Sequence, residues 1–385
     1  MITLSKNQMK TTGSKVEDVS KEWILEPEHE YRFEVDFSTI VKLKLISGTA
    51  EIYGTEIGIG PEYEFSGRKI ALFTWHGTCS VEYVANETPM TSYLNMHLAL
   101  EQFREETKVR DEVGPKVLIV GPEDVGKTSL SKILLSYALR QGRQPIFVDL
   151  DVNEGSVTMP GTLTATPINQ IIDVEEGFGS STTTLPFLGS SMIPITYYYG
   201  YSDPGENVKL YKMLTAKLAN TVKLRIANDK DAKTSGIVID TSGLIDNIGY
   251  EIIQHCVDCF EERPGINVLK LAKSGGVVDR DKTFRRQTQM RKIREYFYGL
   301  PKFELSPCST LISLNEVFIY RVGVALPIGI DRKVSETQLV KVEPDDSIRH
   351  SILALTSANS PDEQNDHIST LSWSFTKAIF DNGFI

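Results

Sequence analysis

From Trp23 to about Val84 apolar residues fall on alternate positions. Tyr31, Phe33, Val35 and Phe37 form one such series, and Val41, Leu43 and Leu45 form a second. A period of two sends successive side chains to opposite faces of a strand, so these runs predict half-buried β-strands. Ser47-Gly48 and Gly58 to Pro61 supply the turns between them, and Lys69 to Phe73 and Val81 to Val84 supply further strands. The expectation is a small all-β domain over residues 21–98. Residues 1–20 are polar and unpatterned, and read as a disordered tail.

The period then lengthens. Tyr93, Met96, Leu100 and Phe103 recur at helical spacing, predicting a helix from Pro89 to about Thr107 with a solvated exit at Lys108 to Glu112. Beyond it, short unbroken apolar runs alternate with amphipathic ones. Val117 to Val120, Ile146 to Leu150, Ile195 to Tyr199 and Ile237 to Ile239 have the length and composition of buried strands. Leu130, Ile133, Leu134 and Tyr137 mark one helix, and Val208, Tyr211, Leu214 and Leu218 another. This is an α/β pattern with a parallel sheet, expected over residues 99–300. Gly161 to Ser191, rich in Gly, Thr and Ser, reads as excursions on its rim. From Gly299 the pattern weakens to an alternation at Val317 to Val322 and a Ser-rich run from Ser357 to His367, and a small, mostly β domain over 301–385 is expected.

Composition narrows the class. The 385 residues exceed one ordinary domain, and 41% apolar content is enough to fill real cores. The net charge of −10 provides no global field toward nucleic acid, so any such contact must rest on a local basic patch. No window approaches the roughly 18 apolar residues of a membrane span and no signal core opens the chain, so an intracellular protein without membrane contact is expected. Four cysteines provide no disulfide framework, in keeping with a reducing compartment. Cys256 and Cys259 beside His255 suggest zinc, but a structural site would want a second pair. Two half-buried helix cysteines are the preferred account.

The chemistry is concentrated in KVLIVGPEDVGKTS, Lys116 to Ser129. An apolar strand breaks at Gly121 into GPEDVGKT, which fits G-x-x-x-x-G-K-[ST]. A phosphate chain needs closely spaced backbone N–H donors with no side chain in the way, which Gly121 and Gly126 permit. A helix beginning near Lys127 adds its positive end. Lys127 is expected on the terminal phosphates and the Thr128 hydroxyl on Mg²⁺. A chance glycine turn before a helix is the alternative, and the flanking strand and amphipathic run count against it.

Carboxylates at strand ends are the next requirement. Asp149 and Asp151 follow the second strand, taken as the neighbour of the first, and Asp240 ends the run before Thr241-Ser242-Gly243. Asp151 and Asp240 are therefore rivals for the metal side. A GTPase would also need an Asn/Thr-Lys-x-Asp base-reading motif downstream, and none is present. Between Asp279 and Arg294 the charge balance inverts: Arg280, Lys282, Arg285, Arg286, Arg291, Lys292 and Arg294 face only two aspartates. A solvated helix face is the bland account. Beside a phosphate loop, an arginine-bearing lid that neutralises the transferring phosphoryl group is the better one, with Gly275-Gly276 as its hinge.

The chain resembles the Clp-type polyribonucleotide 5′-hydroxyl kinases, the cleavage factor IA or cleavage complex II subunit of pre-mRNA 3′-end processing. The resemblance runs from about Glu26 to Val322 and rests on AEIYGTEI at Ala50, FTWHG at Phe73, VGPEDVGKTS at Val120, LDVNEGSVTMPGT at Leu150, DVEEGF at Asp173, KSGGVV at Lys273 and IREYFYG at Ile293. It implies an N-terminal β domain, a central P-loop domain and a C-terminal β domain. It also implies that the N-terminal domain reaches over ATP with Glu30 and Lys69. Gly121, Asp124, Val125, Gly126, Lys127, Thr128 and Ser129 would cradle the phosphates. Asp151 would take the proton from an RNA 5′-hydroxyl and, with Thr128, stand at the metal. Arg285, Arg286, Arg291 and Arg294 would serve as lid arginines. The implied partners are 5′-hydroxyl RNA and subunits of the cleavage and polyadenylation factor, extending to tRNA-splicing endonuclease, and the implied location is the nucleus.

The chain departs from the family pattern at several points. Glu154 replaces a glutamine three residues after the catalytic aspartate, Gln289 replaces a lid arginine, and Leu244 replaces a tryptophan. The segment from Phe260 to Asn267 is shorter than in relatives, as though a strand and part of a helix were missing. The end, LSWSFTKAIFDNGFI, differs from the family's tail and stops early. Two functions follow: transfer of the ATP γ-phosphate to RNA, or an ATP-holding scaffold that consumes nothing.

Overall fold

The structure is a computed structural model. It describes residues 2–8, 20–76, 89–175, 177–178, 194–243, 247–261, 265–273, 280–300, 303–306, 317–322, 339–343, 351–355 and 374–377. The expected strand at Val81 to Val84, the glycine hinge, Leu244, and the Ser-rich run lie outside these residues.

Two four-stranded antiparallel sheets build the N-terminal unit. Strands β1 (Ile2–Gln8), β2 (Ser20–Trp23), β3 (His29–Val35), β4 (Thr39–Leu45), β5 (Glu51–Ile52), β6 (Thr55–Glu56), β7 (Glu62–Phe65) and β8 (Arg68–Thr74) pair in the orders β2-β1-β4-β7 and β3-β8-β5-β6. The alternation read from the sequence points Val35, Leu43, Leu45, Phe65, Ile70 and Leu72 into one core between the sheets. The expected tail is corrected in part: Ile2–Gln8 pairs with β4 along its whole length, Ile2 opposite Leu45 and Gln8 opposite Thr39. This strand takes its order from the ladders on either side of it, β2 and β4, so a polar sequence without a strong pattern did not reveal it.

Helix α1 (Met90–Arg110) leads into the central domain. There β9 (Lys116–Val120), α2 (Lys127–Arg140), β10 (Ile146–Asp149), β11 (Thr162–Pro167), β12 (Ile195–Tyr198), α3 (Val208–Asn228), α4 (Lys230–Ser235), β13 (Ile237–Asp240), α5 (Asn247–Phe260), β14 (Ile266–Lys270) and α6 (Lys282–Tyr298) follow in turn. The six strands are ordered β12-β11-β10-β13-β9-β14. Strands β10, β13, β9 and β14 are parallel, whereas β11 and β12 join antiparallel, so the sheet is mixed rather than purely parallel.

Two expectations change here. The chain from Gly161 is not all rim, since Thr162 to Thr166 are buried as an interior strand. And β10 does not neighbour β9: β13 lies between them, with Asp240 in register with both Asp149 and Ile119. The crossover from β9 through α2 to β10 skips the position that β13 fills later in the chain, a long-range arrangement that local pattern does not encode. Beyond α5 the sheet closes on β14, whose alternating side chains are largely exposed, with Val268 47% accessible.

The last described pieces are three antiparallel pairs: β15 (Gly299–Leu300) with β16 (Phe303–Glu304), β17 (Tyr320–Val322) with β18 (Leu339–Lys341), and β19 (Ile352–Leu355) with β20 (Ser374–Lys377). Among the described residues no helix is long and apolar enough to cross a membrane. Cys256 is buried and Cys259 half-buried on α5, with Cys259 Sγ 3.3 Å from His255 Nε2. No group of His, Cys, Asp and Glu among the described residues could hold a metal by side chains alone.

The β unit sits directly on the central domain. Phe73, Met90, Ile133 and Tyr137 share a core, Arg140 reaches Glu51 at 3.0 Å, and Thr55 donates to the Ile172 carbonyl at 2.9 Å. This seam brings β3 and β8 over the start of α2.

Candidate active site

A cleft of about 540 Å³ opens between the β unit and the loop after β9. Its floor is the run Glu123 to Ser129, one wall carries Glu30, Tyr53 and Lys69, and the far end carries Asp151, Glu154, Arg280 and Arg285. The site therefore draws on segments that are far apart in sequence.

Glycine is required at both ends of the loop. At Gly121 a Cβ would stand 2.7 Å from the Leu271 carbonyl oxygen, and at Gly126 the backbone is left-handed, φ 87°. Asp124 between them also adopts a left-handed conformation, φ 60°, which Asp tolerates better than most residues. The result is a turn of backbone amides at the N-terminus of α2. Lys127, 6% exposed, donates Nζ to the Pro122 carbonyl at 2.7 Å, so its ammonium closes the loop on itself. Gly121 stands behind this floor and does not line the cleft.

Three carboxylates end the two central strands. Thr128 Oγ1 donates to Asp240 Oδ2 at 2.6 Å, and the other Asp240 oxygen is buried without a partner. Asp149 accepts the backbone N–H groups of Asp151 at 3.0 Å and Ser156 at 2.8 Å, which fixes the turn that presents Asp151. Asp151 itself accepts from Asn153 N at 3.0 Å and Ser242 Oγ at 3.3 Å. Burial, reinforced by Asp151, pushes Asp149 up to about 7. Burial and then Glu154 push Asp151 up to about 6. Asp240 is raised well above the carboxylate range by burial and then by Asp149. Three buried acids with one unmatched oxygen suit a divalent cation, and Mg²⁺ commonly takes few protein ligands alongside phosphate and water. Thr128, Asp240 and Asp151 are the residues that fit it.

From the β unit, Glu30 is buried and accepts two hydrogen bonds from Arg32, both at 3.1 Å. The β3–β8 register sets Lys69 opposite Glu34, with which it pairs at 3.2 Å, and its Nζ lies 5.4 Å from the Phe284 ring centre. Phe284 in turn meets Phe37 at 5.2 Å, so the start of α6 packs on the β unit.

The arginines divide. Arg285 Nη2 donates to Asp124 Oδ2 at 2.5 Å and lies 3.0 Å from Glu123. Arg286 and Arg294 are exposed and outside the cleft, while Arg291 pairs with Glu295 at 2.8 Å and donates to the Ser66 carbonyl. Of the four lid candidates, only Arg285 faces the phosphate loop. Arg280, named in the basic run but not in the site set, is the missed residue. Its guanidinium pairs with Glu154 and its N–H donates to Asp124 Oδ2 at 3.0 Å. Its position at the head of the run, just before the helix, was the available signal. The departures Glu154 and Gln289 act together here, since Gln289 donates to the Asn153 carbonyl at 3.1 Å. Both tie α6 to the loop after Asp151.

The family model for the mRNA cleavage and polyadenylation factor CLP1 P-loop matches residues 121–264. The model for the N-terminal beta-sandwich domain of polyadenylation factor matches 24–107, and that for pre-mRNA cleavage complex II protein Clp1 matches 305–373. The mRNA cleavage and polyadenylation factor clp1 of Botryotinia fuckeliana is 40% identical over 383 residues, covering 89% of this chain and 83% of that one. Polyribonucleotide 5′-hydroxyl-kinase Clp1 of Gallus gallus is 39% identical, covering 91% and 87%. The protein of that name in Homo sapiens is 39% identical, covering 88% and 85%. Among solved structures, a wild-type Clp1p–Pcf11p complex matches with a TM-score of 0.77 and 25% identity, covering 94% of this chain and 90% of that one.

Proposed function

The chain belongs to the Clp1 family, and from that membership we propose that it is a polyribonucleotide 5′-hydroxyl kinase, moving the γ-phosphate of ATP to the 5′-hydroxyl of RNA. Its working context is nuclear pre-mRNA cleavage and polyadenylation, with subunits of that machinery, and tRNA-splicing endonuclease, as partners. The observation that carries the reading is Asp151, buried at the end of the cleft with Lys127 acting on its charge and Arg280 and Arg285 lining the same space.

Phosphoryl transfer asks mainly for positioning and charge neutralisation. The amides from Asp124 to Ser129 hold the phosphate chain, and Glu30 and Lys69 close on the nucleotide from the β unit. Lys127 exchanges the Pro122 carbonyl for phosphate oxygen. Thr128, with Asp240 and Asp151 nearby, would hold Mg²⁺, which would supply neutralisation of the phosphate charge. Asp151 accepts the proton of the RNA 5′-hydroxyl as its oxygen bonds to the γ-phosphorus and the bond to the β-phosphate oxygen breaks, leaving ADP. Burial and Glu154 raise Asp151 above the ordinary carboxylate range, toward the pH at which a general base works best.

A second reading is an ATP-holding scaffold. Its support is that Arg280 and Arg285 are already matched by Glu154 and Asp124. One assay separates the two: γ-labelled ATP and a 5′-hydroxyl RNA oligonucleotide are incubated with wild type, Lys127→Ala and Asp151→Asn. Label transfer by wild type and its loss in both variants is the expected result. Wild type that retains ATP and never labels RNA leaves the scaffold.

A further inference from the structure

Helix α3 begins beside the cleft with two buried tyrosines. Tyr199, which follows β12, accepts the Asn207 N–H at 3.0 Å and donates its hydroxyl to the Pro204 carbonyl at 3.0 Å. Its ring meets that of Tyr211 edge-on, with centres 5.5 Å apart. Asn207 caps the helix by accepting the Leu210 N–H at 3.1 Å. The start of α3 is thereby pinned to Ser202, Asp203 and Pro204, which line the cleft.

Tyr211 falls in the apolar stripe of α3 and packs in the core, 1% exposed. A phenylalanine would fill the same space, so the hydroxyl is what distinguishes this residue, and a buried hydroxyl calls for a partner. Tyr211 Oη donates to the Leu150 carbonyl at 2.8 Å. Leu150 immediately precedes Asp151.

A second hydroxyl meets the same carbonyl. Ser242 Oγ lies 3.3 Å from the Leu150 oxygen and 3.3 Å from Asp151 Oδ1. A serine hydroxyl has one proton to give, and a carbonyl and a carboxylate only accept. With Tyr211 supplying the shorter bond to Leu150, the Ser242 proton is free for Asp151, the charged and stronger acceptor. Without the phenol, the buried carbonyl and the carboxylate compete for that one proton, because a buried acceptor left without a donor is costly. Asp151 Oδ1 also accepts the Asn153 N–H at 3.0 Å. Both bonds fall on Oδ1, which leaves Oδ2 as the oxygen to receive the acceptor's proton.

We propose that Tyr211 is a positioning residue for phosphoryl transfer: its hydroxyl satisfies the Leu150 carbonyl, so that Ser242 can hold Asp151 in the orientation that receives the acceptor's proton. The role rests on the kinase reading above and extends it to a residue that does not line the cleft.

The test measures steady-state label transfer from γ-labelled ATP to a 5′-hydroxyl RNA oligonucleotide by the full chain. Wild type, Tyr211→Phe, Ser242→Ala and Tyr211→Phe/Ser242→Ala are compared, with a calorimetric ATP affinity and a melting curve for each. Tyr211→Phe keeps the ring and its packing. Its kcat is expected to fall about tenfold, with KM for RNA and Kd for ATP at their wild-type values. Ser242→Ala is expected to fall by a similar factor, and the double variant no further than Ser242→Ala alone, because both residues act through one proton. Losses that multiply in the double variant assign Tyr211 to packing and overturn the proposal. Tyr211→Phe with wild-type kcat overturns it, and so does a fall in kcat matched by a fall in ATP affinity. Ser242→Ala with wild-type kcat overturns it as well, whether or not Tyr211→Phe folds. In each of these outcomes label transfer by wild type leaves the kinase reading standing. Wild type that transfers no label overturns that reading and the role of Tyr211 with it.

Discussion

Thr128 Oγ1 donates a 2.6 Å hydrogen bond to Asp240 Oδ2, joining the first turn of α2 to the end of the strand beside β9. Of the two carboxylates that the sequence left as rivals, this contact favours Asp240 for the metal side. Asp240 stands against the hydroxyl expected at the metal, whereas Asp151 contacts Ser242 and lines the cleft. Asp240→Asn should therefore weaken Mg²⁺-dependent ATP binding by roughly 10–100-fold, as removal of a metal-side carboxylate commonly does. Asp151→Asn should bind ATP nearly as wild type does. Calorimetric titrations with and without Mg²⁺ give the comparison, and equal losses in the two variants would return the metal role to Asp151.

Glu154 is the departure from the family pattern with the clearest consequence. It adds negative charge to the cleft, occupies Arg280 and helps raise Asp151. Glu154→Gln keeps the size and removes the charge, leaving the Arg280 guanidinium free to turn to phosphate. ATP should bind more tightly by on the order of 1 kcal/mol, about fivefold in Kd. Asp151 should ionise at lower pH, so the acid limb of the label-transfer rate moves down the pH scale. An unmoved limb with unmoved affinity would show that Arg280 and Asp151 do not feel this residue.

What could be read from the chain was what local geometry encodes. The phosphate loop was legible because Gly121, Gly126, Lys127 and Thr128 are each required by backbone space or charge within a few residues. The core positions of the β unit were legible because a pleated strand imposes a period of two. Strand order was not legible: Asp149 and Asp240 each end a buried apolar run, and only the long-range arrangement of the sheet places β13 in the middle. Side-chain direction on α6 was also hidden. Arg285 and Arg286 are neighbours with the same chemistry, yet one meets Asp124 and the other faces solvent. The contact of Phe284 with Phe37 and Lys69, which fixes one face of α6 against the β unit, joins segments far apart in the chain.

The seam between the β unit and the central domain should also make the protein sensitive to acid. His97 on α1 is buried, its Nδ1 has no hydrogen-bond partner, and its ring meets Tyr137 of α2 edge-on at 5.5 Å. Burial lowers its pKa from the ordinary 6.5, Arg104 lowers it further, and Glu101 opposes them. The folded protein therefore holds His97 neutral where the unfolded chain would already be protonated. Because the unfolded state binds more protons, stability rises with pH across this window. The contribution is fully present above the unfolded value of 6.5 and is lost as pH falls through the lower folded value. Urea midpoints at about pH 7.5 and about pH 5.5 should differ for wild type, and the difference should shrink in His97→Gln, which cannot take up the proton. Since α1 and α2 meet the β unit through the shared core of Phe73, Met90, Ile133 and Tyr137, protonation of His97 should loosen the seam that holds Glu30 and Lys69 over the phosphate loop. The same pH drop should then weaken ATP binding less in His97→Gln than in wild type, and equal weakening in both would separate the seam from the nucleotide.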